Sequence, residues 1–292
     1  MGCCVCKEET LSPLPPLPPL PPPNNPEKCT IQYALKFPHG SSGVSLASQF
    51  VHCDINEWLN DRYRNATWTG WMLYNDETPS GETGRKGHCK GILAWNDTHL
   101  SWLIHSVPRF PRTFTGSSLS EIEPSELLYG QSFAYLTRPT DLSFLRNVIA
   151  QIYHMDAQIY EIRNEVIVPQ ICHKGISYLA FSDTIAHIAK SSEHHIDIYS
   201  EFLTKYADHW YVETWKRGHA ILESPSIKDV TSVSILGTTY KESQDHAKWA
   251  VAAQYFWMGD LNRMITQAKR GGGGLLDMHK GTIEAFRAII HA

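Results

Sequence analysis

The stretch "LSPLPPLPPLPPP" (residues 11–23) sets the first limit on what this chain can fold into. A proline-dense repeat forces an extended polyproline II course and cannot enter a packed core. It reads as a stiff spacer, so residues 1–28 are expected to be a disordered Pro-rich tail and the fold to begin near residue 29. Ahead of the spacer stands Met1-Gly2-Cys3-Cys4. Gly2 behind the initiator, with cysteines adjacent, matches the two-signal lipid anchor of a myristoyl and a palmitoyl chain, and so implies membrane association. Position 6 is Cys where the myristoylation motif calls for Ser or Thr, so a plain tail, or a start that lacks a signal peptide, fits as well. No secretory apolar region is visible.

From residue 29 onward the composition is that of a globular chain. Apolar residues make up 42% of the whole and charged residues 19%, enough for a sizeable core. No apolar run approaches the ~20 residues that span a bilayer. A net charge of −4 with His neutral argues against a strongly basic, generally sticky nucleic-acid binder. The 15 His alter that at low pH, where protonation would turn the chain from anion-repelling to anion-attracting. Of seven Cys, Cys3, Cys4 and Cys6 fall in the tail; Cys29, Cys53, Cys89 and Cys172 are widely spaced and form no CxxC pair, which argues against a structural zinc site. Sequons at Asn65 and Asn96 are near chance frequency and do not settle the compartment.

Strand-like and helix-like stretches alternate through the rest. Residues 31–37, 70–75, 90–95, 100–106 and 131–137 are short, apolar or alternating, and bounded by Gly, Pro, Asn or Asp, as strands are. Residues 141–153 have helical spacing with Asp141 as N-cap. Helices are expected at 182–190 and 196–207, strands at 209–218 and 230–236, and a last helix at 281–292. The fold class is mixed α/β (or α+β): one compact domain over 29–292, in halves of about 29–140 and 141–292 that each supply a comparable sheet.

One small unit occurs twice, 158 residues apart: His88-Cys-Lys90 and His246-Ala-Lys248. In a strand, residues i and i+2 share a face, so each His projects with its Lys. Two such strands side by side gather two imidazoles and two ammoniums. That set can cleave a phosphodiester: one neutral imidazole attacks phosphorus, and the other protonates the leaving oxygen and then activates water. The two Lys hold the non-bridging oxygens, doing the electrostatic work that a metal ion does elsewhere, so neither metal nor cofactor is expected. Against this, a two-residue pattern arises by chance in a His-rich chain, as "CHKG" and "MHKG" show.

The surroundings decide between the two. "LYNDETPSGETGRKGHCKGILAW" (73–95), "WLIHSVPRFP" (102–111), "YGQSF" (129–133) and "DHAKWAVAAQYFWMGDLNRMITQAKRGGGG" (245–274) occur in order across roughly residues 30–290, and these blocks resemble the deoxyribonuclease II family. The resemblance implies a phospholipase D-like fold of two pseudo-twofold halves around one site. It implies metal-independent cleavage of DNA, best at acid pH, leaving 3′-phosphate and 5′-hydroxyl ends. The matched catalytic residues are His88, Lys90, His246 and Lys248, with His105 as a third family histidine. By analogy with related nucleases, His88 is favoured as nucleophile. Phospholipase D motifs carry Asp seven residues after the His; here Trp95 and Ala253 stand there, which favours the deoxyribonuclease branch. Asp260 and Asn262 then supply polar support, or cap a turn. Arg263, Lys269 and Arg270 are the candidate phosphate contacts, although solvated surface charge fits each alone. The glycine run 271–274 is read as a loop that lets backbone approach the site or the DNA. "EHHID" (193–197) is read as a surface loop, since adjacent His seldom chelate from one face.

Animal family members have cysteines where this chain has Ala250, Met258 and Leu276 or Asp277, so their disulfides near the second unit are absent. A reducing environment would be tolerated, which sits uneasily with the acidic vesicle or lysosome that the family implies. Family members can pair as dimers, so DNA and a second copy are the partners that the resemblance implies. The alternatives are a phospholipase D-like enzyme acting on lipids and an inactive relative that binds nucleic acid.

Overall fold

A computed structural model describes residues 29–64, 66–84, 86–168, 174–216 and 224–291. The expected tail with Gly2, Cys3 and Cys4, the sequon Asn65, Cys172 and residues 217–218 lie outside them.

Period-two burial builds the centre of the molecule. The first sheet consists of β1 (Thr30–Lys36), β2 (Ser42–Leu46), β3 (Phe50–Asp54), β4 (Gly70–Asn75), β5 (Lys90–Trp95), β6 (His99–His105), β7 (Gln131–Pro139) and β8 (Ile159–Arg163). Its order is β3-β2-β1-β7-β6-β5-β4-β8, antiparallel throughout. The second takes in β9 (Ile176–Ala180), β10 (Ile185–Lys190), β11 (Trp210–Glu213) and β12 (Ile227–Asp229). After the hairpin of β13 (Ser232–Ile235) and β14 (Thr238–Lys241), it adds β15 (Trp249–Val251), β16 (Phe256–Gly259) and β17 (Gly272–Asp277), in the order β12-β11-β15-β16-β17-β10-β9. The final strand, β18 (Ile290–His291), pairs with β13.

Alternate residues of each sheet enter one shared core. Met72, Tyr74, Leu93 and Trp102 from the first sheet meet Trp249, Val251, Phe256 and Leu275 from the second. The intervening Leu73, Ile92, Ala94 and Leu103 face an outer cluster under helix α1 (Ile55–Arg64), while Ala250, Trp257 and Leu276 face another on the far side. Tyr33 hydroxyl donates to Asp277 across the shared layer at 2.9 Å, satisfying a polar pair that burial would otherwise penalise. Both halves repeat one antiparallel run: β4-β5-β6-β7 in the first and β11-β15-β16-β17 in the second. The fold is thus mixed α/β with few helices, as expected, and each sheet supplies one His-x-Lys unit at a strand start.

Several elements differ from the sequence pattern. Helix α2 (Leu142–His154) stands as expected, with the Asp141 carboxylate accepting from Ser143 and Phe144 amides. The segment 182–190 is a strand rather than a helix: Ser182 closes a turn by accepting from Thr184 and Ile185 amides, and β10 is then buried on both faces. A strand with no solvent face loses its alternation and mimics a helical apolar run. Residues 196–207 are helical only as a π turn (Ile198–Phe202) followed by a 3-10 turn (Leu203–Lys205). The last helix, α4 (Lys280–Arg287), comes after the short α3 (Ile265–Ala268) and gives way to β18. β8 joins the first sheet from beyond residue 140, while α2, which precedes it, packs on β9 and β10. The glycine run is no loop but the central strand β17. A Cβ at Gly274 would sit 2.5 Å from the Trp257 ring, and one at Gly273 would sit 2.5 Å from the Ile188 carbonyl oxygen. Those glycines buy close strand packing.

Candidate active site

Both His-x-Lys units end up at the mouth of one cleft. His88 stands two residues before β5 starts at Lys90; His246 and Lys248 stand three residues and one residue before β15 starts at Trp249. The cleft has a volume of about 250 Å³, and His88, Lys90, His246, Lys248, Asn262 and Arg270 line it. Asp76, Trp215 and Gln267 line it too, and the sequence reading singled out none of these three.

The first unit is set by hydrogen bonds and charge. His88 Nδ1 lies 2.7 Å from the Asp260 carbonyl oxygen. A carbonyl only accepts, so Nδ1 carries the proton and the neutral ring offers its lone pair at Nε2. Burial, then the Lys90 charge, pushes the His88 imidazole well below its ordinary value, with Asp76 opposing. Lys90 Nζ donates to Asp76, whose other oxygen lies 3.0 Å from Arg270 Nη2 and 3.8 Å from His88 Nε2. Burial alone would raise the Asp76 carboxyl, but Lys90, then His88 and Arg270, outweigh it and hold it well below the usual carboxylate range. Arg270 also donates to the carbonyls of Lys86 and Gly87, at 3.0 and 3.3 Å, and so ties the start of β17 to the first unit.

The second unit is set by aromatic rings. The His246 ring stacks on Tyr129 at 4.3 Å and 11°, and the Trp215 ring lies 4.0 Å away at 38°. His246 amide donates to the Gly130 carbonyl at 2.9 Å, which registers the unit against the segment that carries Tyr129. Lys248 Nζ rests on the carbonyl of His246. Burial, then the Lys90 charge, pushes the Lys248 ammonium down to about 7. Two ammoniums thus face one cleft, a concentration of positive charge fit for an anionic group.

The remaining expected residues scatter around this pair. Asp260 is buried behind it; its carboxylate accepts from Gly273 amide at 3.0 Å, and burial pushes it up to about 7. His105 does not line the cleft. It is buried beside Phe110 and Phe133, its Nδ1 accepts from Val107 amide, and burial, then the Lys90 charge, lowers it to about 3. Arg263 was expected at phosphate, yet it is 2% exposed and its Nη1 grips Asp229 at 2.7 and 2.8 Å. Lys269 is exposed at the C-terminal end of α3, next to Arg270. His194 and His195 sit in the loop between β10 and the π turn, and among the described residues no three metal-binding side chains gather.

The signal for Asp76 was present but silent. It stands one residue beyond β4, where Asn75 pairs with Lys90, so only the strand register reveals that its carboxylate meets the ammonium. Trp215 carries no local mark at all, and Tyr129 stood out only as the first residue of the "YGQSF" block.

The family model described as Deoxyribonuclease II matches residues 47–292. The chain is 29% identical over 263 residues to deoxyribonuclease-2-beta of Mus musculus, covering 79% of this chain and 73% of that one. It is 28% identical over 270 residues to deoxyribonuclease-2-alpha of Sus scrofa, covering 79% and 71%. It is 31% identical over 241 residues to a putative deoxyribonuclease-2 of Burkholderia thailandensis, covering 70% and 66%. The matched span contains both His-x-Lys units and every residue of the cleft, and the chain belongs to the deoxyribonuclease II family.

Proposed function

We propose that the chain is an endonuclease that hydrolyses DNA phosphodiesters through a phospho-histidine on His88, without a metal ion. The observation that carries this is the meeting of two units 158 residues apart in one cleft. Its relatives' names supply the substrate: they are deoxyribonucleases.

His88 suits the nucleophile because its ring is neutral and its tautomer fixed. Nε2 attacks phosphorus, an N–P bond forms, and the P–O5′ bond breaks. His246 as imidazolium gives its proton to the departing 5′ oxygen and then, as base, takes one from water. That water attacks phosphorus, the N–P bond breaks, and a 3′-phosphate remains. Lys90 and Lys248 bind the non-bridging oxygens and offset the charge that grows in each transition state. Asn262 holds the mouth beside them. Arg270 and the neighbouring Lys269 continue the positive charge beyond the cleft toward adjacent phosphates, whereas Arg263 serves the fold through Asp229. His105, packed beside Lys90, positions that lysine rather than touching substrate. Acid pH favours the cycle because one His must be charged while the other is neutral.

Nicking of supercoiled plasmid at pH 5 and pH 7.5 with excess EDTA, beside His246→Ala, tests the reading. Cleavage at pH 5 in EDTA that the variant loses is the expected result. Cleavage that needs an added divalent metal would overturn it.

A further inference from the structure

His246 packs against two aromatic rings that themselves lie 5.8 Å apart, so they meet the imidazole on adjacent sides, and a buried acid stands near the root of each. One ring is Trp215, two residues after Glu213 at the end of β11. The other is Tyr129, next to Gly130, whose amide donates to the Gln244 carbonyl at 2.7 Å and whose carbonyl accepts from His246 amide. Asp245, adjoining His246, is 1% exposed, and Glu213 is fully buried. Asp245 Oδ1 accepts from Ala247 amide at 2.9 Å and lies so near Gly130 that a Cβ there would come within 2.5 Å. Among the described residues, Asp245 Oδ2 and both Glu213 carboxyl oxygens meet no hydrogen-bond partner. Two buried carboxylates with three unsatisfied oxygens are costly when charged and tolerable when protonated.

Resting on the nuclease reading, we propose that Glu213 and Asp245 form a proton-dependent clasp that positions His246: protonated, they let the Trp215 and Tyr129 rings pack on the imidazole, and ionised, they loosen that packing. The proposal adds two positioning residues to the acid chemistry of the histidines themselves. Burial pushes Asp245 up to about 6 and raises Glu213 well above the ordinary carboxyl value, each reinforced by neighbouring acids. Facing Asp245 are Lys36 of β1, Lys248 of its own segment and Glu242 of the preceding turn. Facing Glu213 are Asp245, Glu242, Lys216 and Asp229 of β12, and Tyr240 of β14 lies near both acids. The cations lower both acids, and burial with the neighbouring acids prevails. A raised folded value means that stability is fully present below the ordinary carboxyl range and is lost as pH rises through about 6, which is the window in which the clasp would open.

The test is Glu213→Gln and Asp245→Asn in the full chain, each a neutral mimic of the protonated acid. Plasmid nicking is followed from pH 5 to pH 7.5, and thermal unfolding at both ends of that range. At pH 5 each variant should cleave within about threefold of the parent, and the ratio of rates at pH 7.5 and pH 5 should rise at least about threefold, since one ionisation no longer opposes the closed state. The fall in Tm between pH 5 and pH 7.5 should shrink in both variants. A parental rate ratio together with a parental Tm fall in both variants would overturn the clasp. Should the parent cleave no DNA, the nuclease reading fails while the Tm difference still decides whether the pair is proton-dependent. Should Glu213→Gln not fold, Asp245→Asn decides alone.

Discussion

The two His-x-Lys units share a sequence pattern and differ in almost everything that surrounds it. In the first, His88 is fixed by a hydrogen bond to the Asp260 carbonyl and Lys90 by the Asp76 carboxylate. In the second, His246 is fixed by the Tyr129 and Trp215 rings, and Lys248 rests on a carbonyl rather than a carboxylate. A hydrogen bond specifies a tautomer; a stack specifies the plane of the ring. The first arrangement suits a nucleophile that must present one nitrogen. The second suits a group that must give up a proton and recover it. Two copies of one motif can therefore divide the labour of a reaction through their neighbours alone.

Removing the imidazoles breaks the comparison most severely. His88→Ala and His246→Ala should each lower kcat on plasmid by about 10³-fold or more. A p-nitrophenyl phosphodiester separates their roles, because its leaving group needs no proton. His246→Ala should still release a burst of p-nitrophenol equal to the enzyme present, and His88→Ala none; a burst from His88→Ala would reverse the assignment.

The next effect in size falls on stability. Asp76→Ala leaves Lys90 buried without its carboxylate and should cost about 3–5 kcal/mol in denaturant unfolding, because a lone buried charge is left behind. A loss under about 1 kcal/mol would show that Lys90 does not depend on Asp76. Weakening the aromatic side should cost less. Trp215→Leu should lose about 0.5–1.5 kcal/mol of ring contact and reduce kcat more than it raises KM, since in the proposed mechanism the stack orients the acid rather than binding substrate. An unchanged kcat would remove Trp215 from the arrangement.

The subtlest contrast is in the pH dependence of unfolding. Asp260, raised to about 7, adds stability that is fully present below the ordinary carboxyl value and is lost as pH rises through 7. His105, lowered to about 3, works in the opposite sense: its stability is present above the ordinary imidazole value and is lost as pH falls toward 3. Asp260→Asn should therefore flatten the decline between pH 5 and pH 7.5, and His105→Phe should lessen the decline between pH 6 and pH 4. Equal slopes in parent and variants would mean that these groups titrate alike in the folded and unfolded chain.

Much of this was legible along the chain because its signals are local. Strand starts at Gly70, Lys90 and Gln131, and the Asp141 cap, follow from alternation and capping within a few residues. What misled was burial on both faces: β10 looked helical and β17 looked like a loop, since neither strand has a polar side to set its period. Arg263 misled for a related reason, because charge in a sequence says nothing of the acid that waits for it, here Asp229.

The sequence by itself determined that an α/β chain carries two His-x-Lys units, each with its pair spaced for one face of a strand. That is a consequence of a two-residue period, which acts within a few bonds. Only the tertiary structure decided that Asp76 meets Lys90 across 14 residues and that His88 meets Asp260 across 172. It alone set His246 against Tyr129 and Trp215 and buried Glu213 beside Asp245. Those contacts depend on strand register and on the packing of two sheets, which no local spacing encodes.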